Sequence, residues 1–356
     1  MSRAFVSGLC LLFLACGAET PQPKPMPSQV PTASAAPSAS AVTVMVDAST
    51  SMPVAPLATP LAELQLTALK AAADRINNHD ANAYGALFTG NAIHRESASP
   101  RDTVSPVNVA RRMQLLFDAF PGFKLSFDRV FQRGNIAVAE WRWTGIDAGG
   151  YMGKKPSGRR AGLQGVSVAF FNADGRIREL HLYEDGQTAV YQLDATAKTA
   201  SYRAVPADAT DALEIVSSGG ADEDKNLAVA RSLYDAIEAK NETASAALLS
   251  DDALVDDYAL PQKPLKGPAA LKSTLKNWSA SFGAFTQLPL FNLMAVKDWV
   301  IAERVLKGTV AGGSVINLHC ADILKLKDGK VVSMRTFSNT LELIGEVGAR
   351  GVRKSQ

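Results

Sequence analysis

Cysteine and histidine are scarce in this chain, at three and four among 356 residues. So few soft ligands argue against a metal centre and against a disulfide framework, and no cofactor is expected. Charge of one sign is lacking too. Lys and Arg number 37 and Asp and Glu 35, a net charge of +2, so nothing draws the chain to nucleic acid. The apolar run Leu9–Ala15 is too short to span a bilayer as a mature helix. What remains is a globular composition, 47% hydrophobic and 20% charged, and a length that ordinarily holds two domains of about 150 residues each.

The N-terminal run follows Arg3 and ends at Cys16-Gly17, the pattern of a secretory signal peptide over residues 1–15. Phe13-Leu14-Ala15-Cys16 resembles a bacterial lipobox, although Phe and Leu at its outer positions depart from the commonest form. The resemblance implies lipidation of Cys16, anchorage in a membrane and a place in the bacterial cell envelope. An outer-membrane lipoprotein facing the periplasm or the cell surface is expected. Cys10 would then be removed, leaving Cys320 without a partner. Residues 16–60 read as a disordered tether, since nine of the 18 prolines lie between Gly17 and Pro60 and only Glu19, Lys24 and Asp47 are charged there. Asp47-x-Ser49-x-Ser51 resembles the metal motif of von Willebrand type A domains. Pro53, Pro56 and Pro60 follow instead of the strand–helix sandwich that motif needs, so no metal is assigned to it.

The folded part opens at Leu61. Leu61, Leu64, Ala68, Leu69, Ala72 and Ile76 recur at helical spacing, Ala83–Phe88 forms a second short helix, and Ser105-Pro106 reads as the N-cap and first residue of a third. Strand-like runs follow at Lys124–Phe131, Ile136–Thr144, Leu163–Phe171 and Ile177–Tyr183, punctuated by Gly134-Asn135 and Asp174-Gly175. Three helices over a bent antiparallel meander make an α+β cone, a shape that encloses a pocket. Downstream the pattern repeats. Leu227–Ile237 matches the opening helix, Gly267-Pro268 starts another, Trp299–Lys307 echoes Ile136–Thr144, and Asp328-Gly329 lies 154 residues after Asp174-Gly175. The fold expected is two tandem cones, domain 1 over residues 61–196 and domain 2 over 224–346, with a linker at 197–223 and a tail at 347–356. Domain 2 lacks the segment around Gly153–Arg160 and has Ala311-Gly312-Gly313 instead.

Domain 1 resembles the SnoaL-like polyketide cyclases of the nuclear-transport-factor-2-like superfamily. The blocks that carry the resemblance are Ala119-Phe120-Pro121-Gly122, Gly134-Asn135, Thr144-Gly145-Ile146-Asp147, Gly153-Lys154-Lys155-Pro156-Ser157-Gly158-Arg159, Asp174-Gly175-Arg176-Ile177, Glu179-Leu180-His181, Asp185 and Gln192-Leu193. It implies a pocket for a small apolar or aromatic molecule and, in an enzyme, a metal-free cyclase or isomerase. The resemblance puts Asp185 in the role of general acid–base, with His181 beside it where the family often has Trp. Asp147 stands where a His is frequent, which puts the inherited mechanism in doubt.

Strand alternation puts Glu179, His181, Tyr183 and Asp185 on one face, and Arg178, Leu180, Leu182 and Glu184 on the other. Alternation alone reads the first row as solvent-facing, whereas the resemblance reads it as lining the pocket. Both hold if helices cover one face and another domain covers the other. Candidate ligand-binding residues are Glu179, Tyr183, Glu140, Arg142 and Asp147, and candidate catalytic residues Asp185 and His181. In domain 2 the row becomes Ser333, Arg335, Phe337 and Asn339, which reads as chemically blank. Three functions are open. The protein is a binder, an enzyme acting through Asp185, or a scaffold in which the domains pair with one another or between copies.

Overall fold

The computed structural model describes residues 59–97, 102–199, 202–207, 213–261, 263–282, 285–287, 290–309 and 315–341. The expected leader, Cys16, the tether up to residue 58, the von Willebrand-like motif and the C-terminal tail lie outside them, whereas residues 59 and 60, expected to close the tether, open the first helix. All the described residues fall within one compact unit.

Domain 1 runs α1 (Thr59–Asn77), α2 (Ala81–Gly85), β1 (Phe88–Glu96), β2 (Thr103–Val104), α3 (Pro106–Ala119), β3 (Lys124–Arg133), β4 (Ile136–Ile146), β5 (Arg160–Phe171), β6 (Ile177–Glu184) and α4 (Gly186–Leu193). The linker adds β7 (Leu213–Val216), which pairs in parallel with β3 at the sheet edge. Domain 2 repeats the order as α5 (Ala221–Glu238), α6 (Glu242–Ala247), β8 (Leu249–Asp257), β9 (Leu265–Lys266), α7 (Pro268–Phe282), β10 (Phe285–Gln287), β11 (Asn292–Val296), β12 (Trp299–Thr309), β13 (Val315–Lys327) and β14 (Lys330–Ser338). The sheets run β2-β1-β6-β5-β4-β3-β7 and β10-β12-β13-β14-β8-β9, with β11 also on β12.

The expected meander is antiparallel throughout, but each sheet also contains one equivalent parallel pair, β1 with β6 and β8 with β14. No hairpin joins these strands, so no turn dictates their direction.

The repeat extends to the turns. The turns after α1 and α5 place His79 and Lys240 at positive φ, and the next residues, Asp80 and Asn241, cap α2 and α6 through the N–H of Ala83 and Ala244. Ser105 does precede Pro106 at the start of α3, but its hydroxyl makes no cap bond, and its φ of 81° matches the 76° of Gly267 before α7.

Each sheet has two differently used faces. The helix side of the first buries Leu69, Ile76, Phe117, Phe120, Phe123, Trp141, Trp143 and Leu180. The helix side of the second buries Leu233, Tyr234, Leu271, Val300, Leu306 and Leu324. The other two faces meet each other, placing Phe131, Val138, Val166 and Val168 against Met294, Trp299, Ile301, Ile323 and Phe337. The polar row of β6 lies in this third core.

Candidate functional site

On β6, Glu179, His181 and Tyr183 point toward domain 2, not into the domain 1 interior as the resemblance implies. Their partner is Glu303 of β12. One Glu303 oxygen accepts from the Tyr183 hydroxyl at 2.7 Å and meets His181 Nδ1 at 2.7 Å, and the other accepts from Asn292 at 2.8 Å. His181 Nε2 meets Glu179 Oε1 at 2.9 Å, and Arg95 closes the cluster on Glu179 at 2.5 Å. Burial works against a charged His181 ring, but the hydrogen bond and charge of Glu303, then those of Glu179, outweigh it and hold its pKa above the usual value.

Glu140 occupies the position on β4 that Glu303 occupies on β12. It pairs with Arg129 at 2.8 Å and, across the interface, with Arg335 at 3.0 Å. Arg335 is the domain 2 counterpart of His181, so the contact is reciprocal. Asp185 is removed from both clusters. It caps α4 through the N–H and hydroxyl of Thr188, at 3.0 and 2.6 Å, and accepts from the N–H and hydroxyl of Thr340 at 2.9 and 2.6 Å. A cavity of about 20 Å³, room for one water, lies beside it among Gly162, Thr188, Arg203 and Tyr258. Burial raises the Asp185 pKa against the opposing pull of these four bonds.

Arg142 forms a bidentate pair with Asp128, at 2.9 and 2.7 Å, and donates to the Ala207 carbonyl. Asp147 organises its loop by accepting from the N–H groups of Gly150, Tyr151 and Ser157 at 2.9, 3.1 and 2.9 Å. Neither lines the interior of the cone. The structure therefore brings Glu179, His181 and Tyr183 together at the domain seam and places Glu140, Arg142, Asp147 and Asp185 in separate contacts.

The inward face of domain 1 carries other groups. Glu184 is half-buried and accepts from Trp143 Nε1 at 2.9 Å. Burial pushes its pKa up to about 7; Trp143 and Arg112 act to lower it, and Glu96 to raise it. Arg112 of α3 holds Glu96 of β1, with Nη2 2.5 Å from Oε2. His94 is buried on the same strand face, its Nδ1 3.6 Å from Glu96 and without a hydrogen-bond partner among the described residues. Burial lowers its pKa first, so the ring is neutral near pH 7. Trp143 stacks on Phe123, with ring centroids 5.1 Å apart, and meets Phe120 at a tilt, 5.2 Å away. Trp141 bonds Ser167 at 2.8 Å and lies over Gly165, where a Cβ would come within 2.3 Å of the indole. Half-buried Leu182, Met113, Leu116 and Tyr151 pack against the same core, and the charge of Glu184 reaches Tyr151. Sequence reasoning assigned Glu184 to the face of Leu180 and Leu182 but gave it no role. An acid among core-facing strand residues was the available signal.

The residue models of known families match both halves. SnoaL-like polyketide cyclase matches residues 66–193, and SnoaL-like domain matches residues 230–334. The chain carries two SnoaL-like domains in tandem. Among solved structures it is similar to a candidate SnoaL-like polyketide cyclase from Jannaschia sp. CCS1, at 18% identity and TM-score 0.36, over 40% of this chain and 99% of that one. It is also similar to an NTF2-like protein from Burkholderia xenovorans LB400, at 18% identity and TM-score 0.31, over 36% and 98%. A third is an LEH-like epoxide hydrolase from M. tuberculosis, at 14% identity and TM-score 0.31, over 37% and 98%. A comparison with curated proteins found no match.

The second SnoaL-like domain does not reproduce the inward face of the first. The hairpin registers put Arg304 where the first has Trp141, Asp322 for Ser167, Leu306 for Trp143 and Ser338 for Glu184. Reading this copy as chemically blank needs correction, since Arg304 and Asp322 form a fully buried pair at 2.5 Å, joined by the hydroxyls of Tyr234 and Thr336. What it lacks is a carboxyl at the position of Glu184, where Ser338 stands.

Proposed function

We propose that the protein is an exported lipoprotein, anchored in the bacterial cell envelope through Cys16, whose first SnoaL-like domain binds a small apolar or aromatic molecule beside Glu184. The observation that carries the ligand reading is the half-buried Glu184 carboxyl between Trp143 and the Glu96–Arg112 pair, with a pKa near 7. Aromatic and aliphatic side chains around one titrating acid suit an apolar body with one hydrogen-bonding group. The export reading rests on the sequence around Cys16.

A carboxyl that titrates near neutrality can both give and take a proton, which general acid–base catalysis requires. Trp143 bonds one oxygen of Glu184, and in this reading the other meets the ligand. This supports a cyclase or isomerase as the enzymatic form of the same site, with Glu184 taking the role first given to Asp185. Asp185 has both oxygens engaged in fixed hydrogen bonds and does not suit it.

Mass spectrometry of small molecules released from the purified full-length protein tests the binding reading. A molecule carried by the wild type and lost from Leu182→Trp, which fills the lining, is the expected result. A wild type that carries nothing and binds an apolar fluorescent probe no better than Leu182→Trp would refute it. Membrane fractionation of Cys16→Ser tests the anchor. Wild-type protein that is processed, free of lipid and soluble would end that part of the proposal.

A further inference from the structure

Domain 1 carries an insertion that domain 2 does without. The β4–β5 connection is 13 residues, 147–159, whereas β12 and β13 are joined by five, 310–314. The same sheet closes with either, so the fold does not need the longer loop.

The loop is rigid at its base. Asp147 gathers three backbone N–H groups, and the N–H groups of Ala148 and Gly149 donate to the Ala119 carbonyl at the end of α3, both at 3.1 Å. Gly149 packs so closely that a Cβ there would sit 1.8 Å from the Asp118 carbonyl oxygen. Tyr151 points inward onto Phe120. The next residue, Met152, has a φ of 53° and turns outward, 59% exposed; Ile146 at the loop entrance is 56% exposed. Lys154 and Lys155 follow in a wholly exposed stretch, and Arg159 and Arg160 close it. Arg159 Nε is engaged by the Gln192 carbonyl at 2.9 Å, and Asp194 is the acid whose charge meets Lys154 and Arg159.

Two exposed apolar side chains and four cations, two of which face a single acid, Asp194, complement an anionic lipid surface. The apolar side chains enter the headgroup region while the lysines meet the phosphates. We propose that the loop 146–160 is a membrane-docking surface for anionic lipid. It acts independently of any anchor at Cys16 and of any ligand in the domain 1 interior. A soluble polyanion would use the lysines but leave Met152 and Ile146 without a role.

The test uses the full chain carrying Cys16→Ser, so that no lipid at that residue contributes. Its partitioning is measured onto phosphatidylcholine vesicles with and without phosphatidylglycerol. The ratio of the two cancels the apolar contribution of the N-terminal segment, and the lysine variants, which keep that segment, subtract its charge. A preference of about thirtyfold for the anionic vesicles is expected from two lysines near the surface, at about 1 kcal/mol each. Lys154→Glu with Lys155→Glu abolishes it, and Met152→Asp reduces binding to anionic vesicles severalfold with near-UV circular dichroism unchanged. Equal partitioning onto both vesicles overturns the proposal. So does an anionic preference that survives the double lysine variant, or one that heparin competes away while Met152→Asp has no effect.

Discussion

Asp185 and Asn339, 154 residues apart, cap each other's chains. Asp185 Oδ1 accepts from the Thr340 N–H at 2.9 Å, and Asn339 Oδ1 accepts from the Gly186 N–H at 3.2 Å. Each caps the residue that follows the other, which is the signature of a two-fold relation between the halves. Glu140 with Arg335 and Glu303 with His181 repeat the pattern. The two SnoaL-like domains thus meet as a pseudo-symmetric pair inside one chain.

Asp185→Asn is not a silent change, although Asn already stands at 339. Both Asp185 oxygens accept backbone N–H groups, and an amide presents only one acceptor. One N–H is left opposite an NH2 group, at a cost of about 1–3 kcal/mol. Urea denaturation measures it, and an unchanged midpoint would show that the cap contributes nothing.

Glu303→Ala strands the His181 ring, the Tyr183 hydroxyl and Asn292. Breaking one member of a buried charged network costs about 3–5 kcal/mol. A double-mutant cycle with His181→Ala isolates the pair, and a coupling indistinguishable from zero would show the His181–Glu303 contact to be energetically idle.

Glu184 carries a stability signature with a definite sign. Its folded pKa of about 7 lies above the usual 4.5, so the folded state holds the proton longer. Stability therefore falls as pH rises between those values, and ionisation costs about 3 kcal/mol above pH 7. Glu184→Gln keeps an acceptor for Trp143 and removes that penalty. Denaturation midpoints at pH 5 and pH 8 should converge in the variant and differ in the wild type. Equal slopes in both proteins would place the titration elsewhere.

The histidines divide. The raised pKa of His181 means its contribution to the interface is complete below its unfolded value near 6.5 and lost as pH climbs through the folded value. The buried His94 does the reverse and resists protonation on acidification. Proton NMR of the imidazole Cε1–H signals, assigned with His181→Gln and His94→Gln, should show one midpoint above and one below 6.5. Coincident midpoints would contradict the buried environments of both rings.

Much of the fold is legible in local sequence because it follows from local rules. Period-2 runs and Asp-Gly turns mark β5, β6, β13 and β14, and the 154-residue echo from Asp174-Gly175 to Asp328-Gly329 marks the duplication. Alternation also separated Glu179, His181 and Tyr183 from Leu180, Leu182 and Glu184, the division seen in the structure.

Which of the two faces holds the site was decided by tertiary structure. A strand encodes two faces but does not say what covers each. Domain 2 covers one of them, and it supplies Glu303 for His181 and Tyr183 and Thr340 for Asp185, residues more than 100 positions away in the chain. With those partners the polar row satisfies itself in a seam between sheets. Glu184 faces the other way, bonded to Trp143 among aromatics, and keeps a raised pKa because burial there outweighs the pull of Trp143 and Arg112.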